Sequence, residues 1–428
     1  MIDMIYQTLE QCLDTIAHSY TDYVQNPDKD FTRNRVLTFK KVILMLLKMG
    51  GQSLSRELLN CQEEISNSAF VQSRYKIKVE ALKELLRLFV HAVSPVQDLP
   101  ILAIDGSDIN IPCMPDDPDS YFPSKKGGKA YSLIHLNALY DLNHQLYYDA
   151  LVQKRRQCDE RQALIYMMAS SPFVQALVIA DRGYESYNLM AHFQEKSWYY
   201  LIRIRDGKNS LKQSLDLPET DCFDLTIRLK LTRRQTKETK ELFKDRNHYK
   251  FVPKNQHFDY LSKEWDRKSD PEFYELSFRI VRLEVAPGIY ETLVTNTDYD
   301  VDKLKSLYAS RWGIETSFRE LKYTIGLISF HAKKMEGILQ EIFAHFTLFN
   351  FSKIITEHIE IPKKQRRYVY KVNYSDASYA CRLFLLGRMT SLKLETYIQR
   401  HLIPIRPERK WERKIRTQSV VAFNCRIA

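Results

Sequence analysis

Between Met1 and about Val96, apolar residues recur at helical spacing: Leu58, Leu59 and Ile65, then Leu82, Leu85, Leu86 and Phe89. Gly50-Gly51 interrupts that pattern. Ser53 stands where a helix cap belongs, with Arg56 and Glu57 in the turn after it. Ser94-Pro95 and Pro100 close the block. From Ile101 the texture changes. Ile101 to Ile104 is the continuous apolar run of a buried strand, ending at Asp105-Gly106-Ser107-Asp108. Residues 130–140 and 145–152 read as two strands joined by a turn at 141–144. Residues 158–170 read as a helix. Residues 176–180 form a second buried strand, ending at Asp181-Arg182-Gly183-Tyr184, and 198–204 a third at the edge of the sheet. This order predicts a mixed α/β sheet.

Residues 205–297 read as β-rich. Phe223, Leu225, Ile227 and Leu229 alternate with polar neighbours, and residues 273–285 and 290–295 follow suit around a Pro287-Gly288 turn. The stretch 232–250, rich in Lys, Arg and Thr, reads as a solvated loop or edge. Helical spacing returns over 304–327 as one helix and over 337–358 as another. Two basic clusters follow, at 363–367 and 406–416.

The 428 residues suffice for two or three domains and a core that needs no disulfide or structural metal. The net charge of +11 favours a polyanionic partner. Seven scattered cysteines, none in CxxC spacing, exclude a zinc framework and point to a reducing compartment. The longest apolar run, Val42 to Leu47, falls far short of the ~20 residues of a membrane helix, and the N-terminus lacks the basic start of a leader. The expectation is a soluble cytoplasmic protein with no membrane partner.

Asp105 and Asp181 each follow a buried apolar strand, where sites gather in open α/β sheets. Two carboxylates at one point suit a hard divalent cation. Both aspartates equally fit turns and helix caps. Asp108 and Asp141 are their rivals; Asp105 is preferred because it directly follows the strand. On the helix from Leu304, Tyr308, Arg311, Glu315 and Lys322 share a stripe about 60° wide at ~100° per residue. Leu307, Ile314, Phe318, Leu321 and Ile325 fall on a neighbouring face. Arg311 and Glu315 alone make an ordinary i,i+4 ion pair. Glu320 points away from the stripe, and His331 reads as a surface histidine.

The set Asp105, Asp181 and Glu315, with Tyr308-x₂-Arg311-x₃-Glu315-x₆-Lys322, resembles the DDE transposases of bacterial insertion sequences that carry the Y-R-E-K signature. Supporting stretches are 103–107, 180–184 and 308–322, and the similarity spans about 99–350. The resemblance implies an RNase H-like catalytic core interrupted by a β-rich insertion. It implies three carboxylates holding Mg²⁺ or Mn²⁺, two ions in all. The chemistry would be hydrolysis of DNA at the element's ends and transfer of the freed 3′-OH into target DNA. Partners would be double-stranded terminal inverted repeats and target DNA, bound by a homodimer on paired ends in a bacterial, nucleoid-associated setting. Tyr308, Arg311 and Lys322 would contact phosphates. Trp312 would stack on a flipped base, although it also fits core packing. Lys125, Lys126 and Lys129 could grip the backbone or form a solvated loop.

With the resemblance, the chain is expected to divide into five parts. These are N-terminal helices for DNA-end binding (1–98), the first part of the catalytic domain (99–204), the β-rich insertion (205–297), the second part with the Glu helix (298–358), and a helical basic C-terminal region (359–428). The alternative is a regulatory DNA-binding protein of transposase descent without catalysis.

Overall fold

The computed structural model describes residues 1–33, 35–61, 64–94, 99–124, 128–207, 210–265, 270–361 and 367–406. The chain opens with helices α1 (Ile2–His18), α2 (Phe39–Lys48), α3 (Leu54–Asn60), α4 (Asn67–Arg74) and α5 (Val79–Val93). Their apolar stripes decide their packing. Ile5, Leu9, Leu13 and Ile16 of α1 and Leu82, Leu85, Leu86 and Phe89 of α5 are all buried. Thr38 starts α2 by accepting the Lys41 amide, one of the donors a helix start leaves unpaired.

A ten-stranded sheet follows. Its first half comprises β1 (Ile101–Ile111), β2 (Tyr121–Phe122), β3 (Tyr131–Asp141), β4 (Leu146–Lys154), β5 (Leu177–Ala180) and β6 (Tyr199–Arg203). Helix α6 (Glu160–Ser170) precedes β5, and α7 (Tyr187–Glu195) precedes β6. Five strands run in the order β4-β3-β1-β5-β6, and of these only β3 is reversed. This is the RNase H-like mixed sheet. Where β5 pairs with β1, its residues are apolar and buried on both faces, as parallel pairing demands.

The second half is β7 (Phe223–Thr232), β8 (Tyr249–Phe251), β9 (Tyr274–Ala286) and β10 (Ile289–Thr295), with the short helix α8 (Lys237–Leu242) between β7 and β8. These strands extend the same sheet. β10 pairs with β6, so β6 is an interior strand and not the edge that its sequence suggests. The basic stretch after β7 also departs from expectation, because Arg233 and Arg234 are buried. Arg233 donates to the carbonyls of Pro253, Gln256, Phe258 and Leu261, so its fork closes a loop and does not face water.

Beyond the sheet the expected single helix from Leu304 is broken. α9 (Val301–Ser310) meets α10 (Trp312–Arg319) at Arg311, and a π-helical segment (Glu320–Ile325) ends at Gly326, with φ of 103°. Helix α11 (Met335–Glu357) is buried on nearly every side, and it packs against α5 and α2 as well as β4. The N-terminal helices and the sheet therefore share one core. The C-terminal part holds α12 (Tyr374–Leu385), α13 (Ser391–Arg400) and a two-stranded sheet of β11 (Tyr370–Val372) and β12 (Leu402–Pro404). Most of the two basic clusters lies outside the described residues. Among the described residues no helix is long and apolar enough to cross a membrane.

Candidate active site

β1 and β5 run parallel and side by side, with Ala103 level with Ile179, so Asp105 in β1 and Asp181 just past β5 lie next to each other. β1 does not end at Asp105, as its apolar run suggests, but continues to Ile111 in antiparallel pairing with β3. Each carboxylate is fixed by the backbone next to it. Asp105 Oδ1 accepts the Gly106 amide at 2.9 Å, and Asp181 Oδ1 accepts the Gly183 amide at 2.7 Å. Asp181 thereby caps a short 3₁₀ turn, so the turn-cap reading of this residue is correct as far as it goes.

The Glu helix lies across this end. Arg311, at the joint of α9 and α10, is buried and touches two of the acids. Its Nη2 donates to Glu315 Oε1 at 2.7 Å, and its Nη1 stands 3.7 Å from Asp105 Oδ2. The ordinary i,i+4 pair exists, but it also reaches β1. Lys322, in the π-helical segment, donates to Ser107 Oγ at 2.6 Å and to the Asp108 carbonyl at 2.8 Å, tying that segment to β1. Burial holds the Lys322 pKa below its usual value, against the pull of Asp108 and Asp105.

Burial dominates the electrostatics of Asp105. It pushes the carboxyl up to about 6, and the Asp181 and Glu315 charges push the same way, against the Gly106 amide and Arg311. Asp105 thus senses both other acids, with a single guanidinium set between it and Glu315. An all-oxygen donor set of carboxylates, with Asp105 costly to ionise beside the other two, fits a hard divalent cation. The Tyr184 hydroxyl supports that fit. It is fully buried, lies in the field of Asp105 and Asp181, and has no hydrogen-bond partner.

The other expected residues are placed less uniformly. Tyr308 lies near Arg203 and Glu291 as well as Arg311, and burial raises its pKa. Trp312 is 50% exposed, which removes core packing as its role. Arg311 lies 5.9 Å from the centres of both the Tyr308 and Trp312 rings. Lys129 is an exposed loop residue, while Lys125 and Lys126 lie outside the described residues.

The rivals resolve into other work. Asp141 is fully buried and accepts the amides of Asn143 and His144. Asp108 holds His135 and Arg155, and Glu320 pairs with Lys353. His331 is not a surface histidine, because its side chain is 1% exposed against Glu341.

Sequence reasoning missed His135 and Glu160, which adjoin Gly106. Together with Cys158 they place one ligand atom each within 4.8 Å of one another. No spacing along the chain links them; the one local signal is the pair of glycines beside Asp105 and Asp181.

The profile of the transposase DDE domain matches residues 97–351. Among curated proteins, none matches the chain in sequence. One solved structure it resembles is the cryo-EM structure of piggyBac transposase in a synaptic complex with hairpin DNA. The likeness has a TM-score of 0.46 at 9% identity and covers 94% of this chain and 84% of that one.

Proposed function

The chain belongs to the transposase DDE-domain family, and from that premise we propose that it cleaves DNA at the ends of a bacterial insertion sequence and joins the freed 3′-OH to target DNA. One observation carries the reading: Asp105 within β1 and Asp181 just past β5 stand side by side on adjacent parallel strands, and Arg311 links Asp105 to Glu315. Asp105, Asp181 and Glu315 are the residues that would hold Mg²⁺ or Mn²⁺, two ions in this reading. Such ions stabilise the attacking and leaving oxygens of an in-line displacement at phosphorus.

The chain's own groups do the rest. The Gly106 and Gly183 amides fix the two aspartates in orientation before substrate arrives. Arg311 presents a planar fork suited to bidentate phosphate contact, once substrate competes for it with Glu315. Lys322 uses two partners of its own chain and has a third N–H for a flanking phosphate. Tyr308 would complete the Y-R-E-K group from its place beside Arg203. Trp312, half exposed next to Arg311, offers a face for an unstacked base, and Lys129 a contact to the backbone. In this reading 1–98 contact the element's ends, 99–204 and 298–358 form the catalytic domain, 205–297 its insertion, and 359–428 a basic region. The working form is a homodimer on paired ends.

The test uses purified protein, labelled duplexes carrying the DNA that flanks the gene, and Mg²⁺ or Mn²⁺. Nicking at one defined position is expected, lost in Asp105→Ala, Asp181→Ala and Glu315→Ala while DNA binding persists. Sequence-specific binding without cleavage under either metal would establish the regulatory DNA-binding protein instead.

A further inference from the structure

Glu160 opens α6, the helix that follows the β3–β4 hairpin, and nothing in the Y-R-E-K pattern includes it. Its two carboxylate oxygens adjoin the glycines that follow the two aspartates, Gly106 and Gly183. A Cβ placed on Gly183 would lie 2.9 Å from Asp181 Oδ1 and 3.3 Å from Glu160 Oε2, so the two carboxylates converge on one point. A Cβ on Gly106 would collide with His135 Nε2 first and would also lie 2.7 Å from Glu160 Oε1. Glycine stands beside each aspartate because His135 and Glu160 fill the space a side chain would need at Gly106, and Asp181 and Glu160 crowd it at Gly183.

The side chain is held there. His135, buried in β3, places Nε2 3.0 Å from Glu160 Oε1, while its Nδ1 meets Asp108 Oδ1 at 2.6 Å. Arg155 donates to the other Asp108 oxygen at 2.9 Å. This chain of contacts keeps Glu160 charged, and its side chain remains 34% exposed. The orphaned Tyr184 hydroxyl supplies an independent sign of something that belongs here. It is fully buried, lies in the field of Glu160, Asp105 and Asp181 together, and finds no partner among them.

Resting on the transposase reading above, we propose that Glu160 is a fourth carboxylate of the metal site, converging with Asp181 beside Gly183 and held there by His135. It adds negative charge where Asp105 is costly to ionise, and it gives divalent cations an oxygen that the three acids of the signature do not supply. His135 and Asp108 are positioning residues for it. Contacts of this supporting kind are worth about 10–100-fold in metal affinity.

The experiment measures Mn²⁺ binding to the full chain without DNA, from the loss of the free-ion electron paramagnetic resonance signal. It compares wild type with Glu160→Gln, Glu160→Asp and Asp181→Asn, each with its thermal unfolding curve. Glu160→Gln is expected to weaken Mn²⁺ binding about tenfold, with Glu160→Asp intermediate and the melting temperatures unchanged. Weakened binding in Asp181→Asn but wild-type binding in both Glu160 variants would overturn this inference and leave the transposase site standing. A purely structural Glu160 would lower the melting temperature of its variants without moving their Mn²⁺ affinity, which also overturns it. Mn²⁺ binding indifferent to Asp181→Asn would remove the metal reading of the acid site, and this inference with it. If Glu160→Gln does not fold, Glu160→Asp decides alone.

Discussion

Glu341 on α11 and Asp105 on β1 are both carboxylates taken out of water, and their pKa values move in opposite directions. For Glu341, burial by itself would raise the value; His331 and Arg74 outweigh it and hold the carboxyl down to about 2. Arg74 donates at 2.8 Å, and the amides of His331 and Ala332 donate at 2.8 and 2.9 Å. Arg74 in turn bonds Gln340 and the Gly337 carbonyl, so the whole centre is closed. Asp105 has one neighbouring amide and a guanidinium 3.7 Å away, and it sits at about 6. A carboxylate that serves the fold is surrounded until its charge is matched. The one at the acid face is left short of positive charge, and that deficit is what a divalent cation would fill.

The largest effect is expected on the closed side. Glu341→Ala strands Arg74 among buried groups and should cost about 3–5 kcal/mol in urea unfolding. The sign with pH follows from the depressed value. The Glu341 contribution is complete above its unfolded value near ~4.3 and disappears as pH falls toward about 2, so the variant should lack this acid limb. Asp105→Asn should reverse the pattern. Cleavage is expected to fall about 10³-fold, or ~4 kcal/mol of barrier, while unfolding shows no loss of stability. Asp105 has a raised value, so in metal-free protein its ionisation erodes stability as pH rises from ~3.9 through about 6. The variant should be flat across that window. A stability loss in Asp105→Asn as large as in Glu341→Ala would erase the contrast between the two sites.

The parts of the acid face legible in the sequence are those with a local rule. Apolar runs ending at Asp105 and Asp181 put the two acids on adjacent strands, although β1 runs on past Asp105 to Ile111, and helical periodicity aligns Arg311 with Glu315. What escapes is pairing between distant segments. β6 reads as an edge because nothing near residues 199–203 announces β10, some ninety residues further on. Arg233 looks solvated because its carbonyl partners belong to a loop about twenty residues later. The Glu341–Arg74 centre is equally silent, because a Glu in an apolar helix gives no hint of an arginine on α4. Glu160 and His135 meet beside Gly106 by the curl of the β3–β4 hairpin into α6, which no spacing reveals.

A smaller effect separates recognition from stability at the acid face itself. Trp312 is 50% exposed and rests near Arg311. Trp312→Ala should weaken binding of DNA ends by about 1–3 kcal/mol, the worth of one base on an aromatic face. Its urea unfolding should match wild type, since the ring buries little core surface. A variant that unfolds early while binding DNA normally would return Trp312 to a packing role.

The smallest effect is expected where water surrounds both partners. Glu241 and Lys244 pair at the end of α8 with side chains 67% and 74% exposed. Their attraction is screened, and holding two long side chains together costs entropy, so Glu241→Gln should change unfolding by about 0.5 kcal/mol or less. This variant isolates the variable that separates Glu341 from Asp105. All three carboxylates have a cation within 4 Å. If Glu241→Gln proved as costly as Glu341→Ala, proximity to a cation would explain Glu341 without any reference to burial, and Asp105, with its arginine at 3.7 Å, would have no deficit left for a metal to fill.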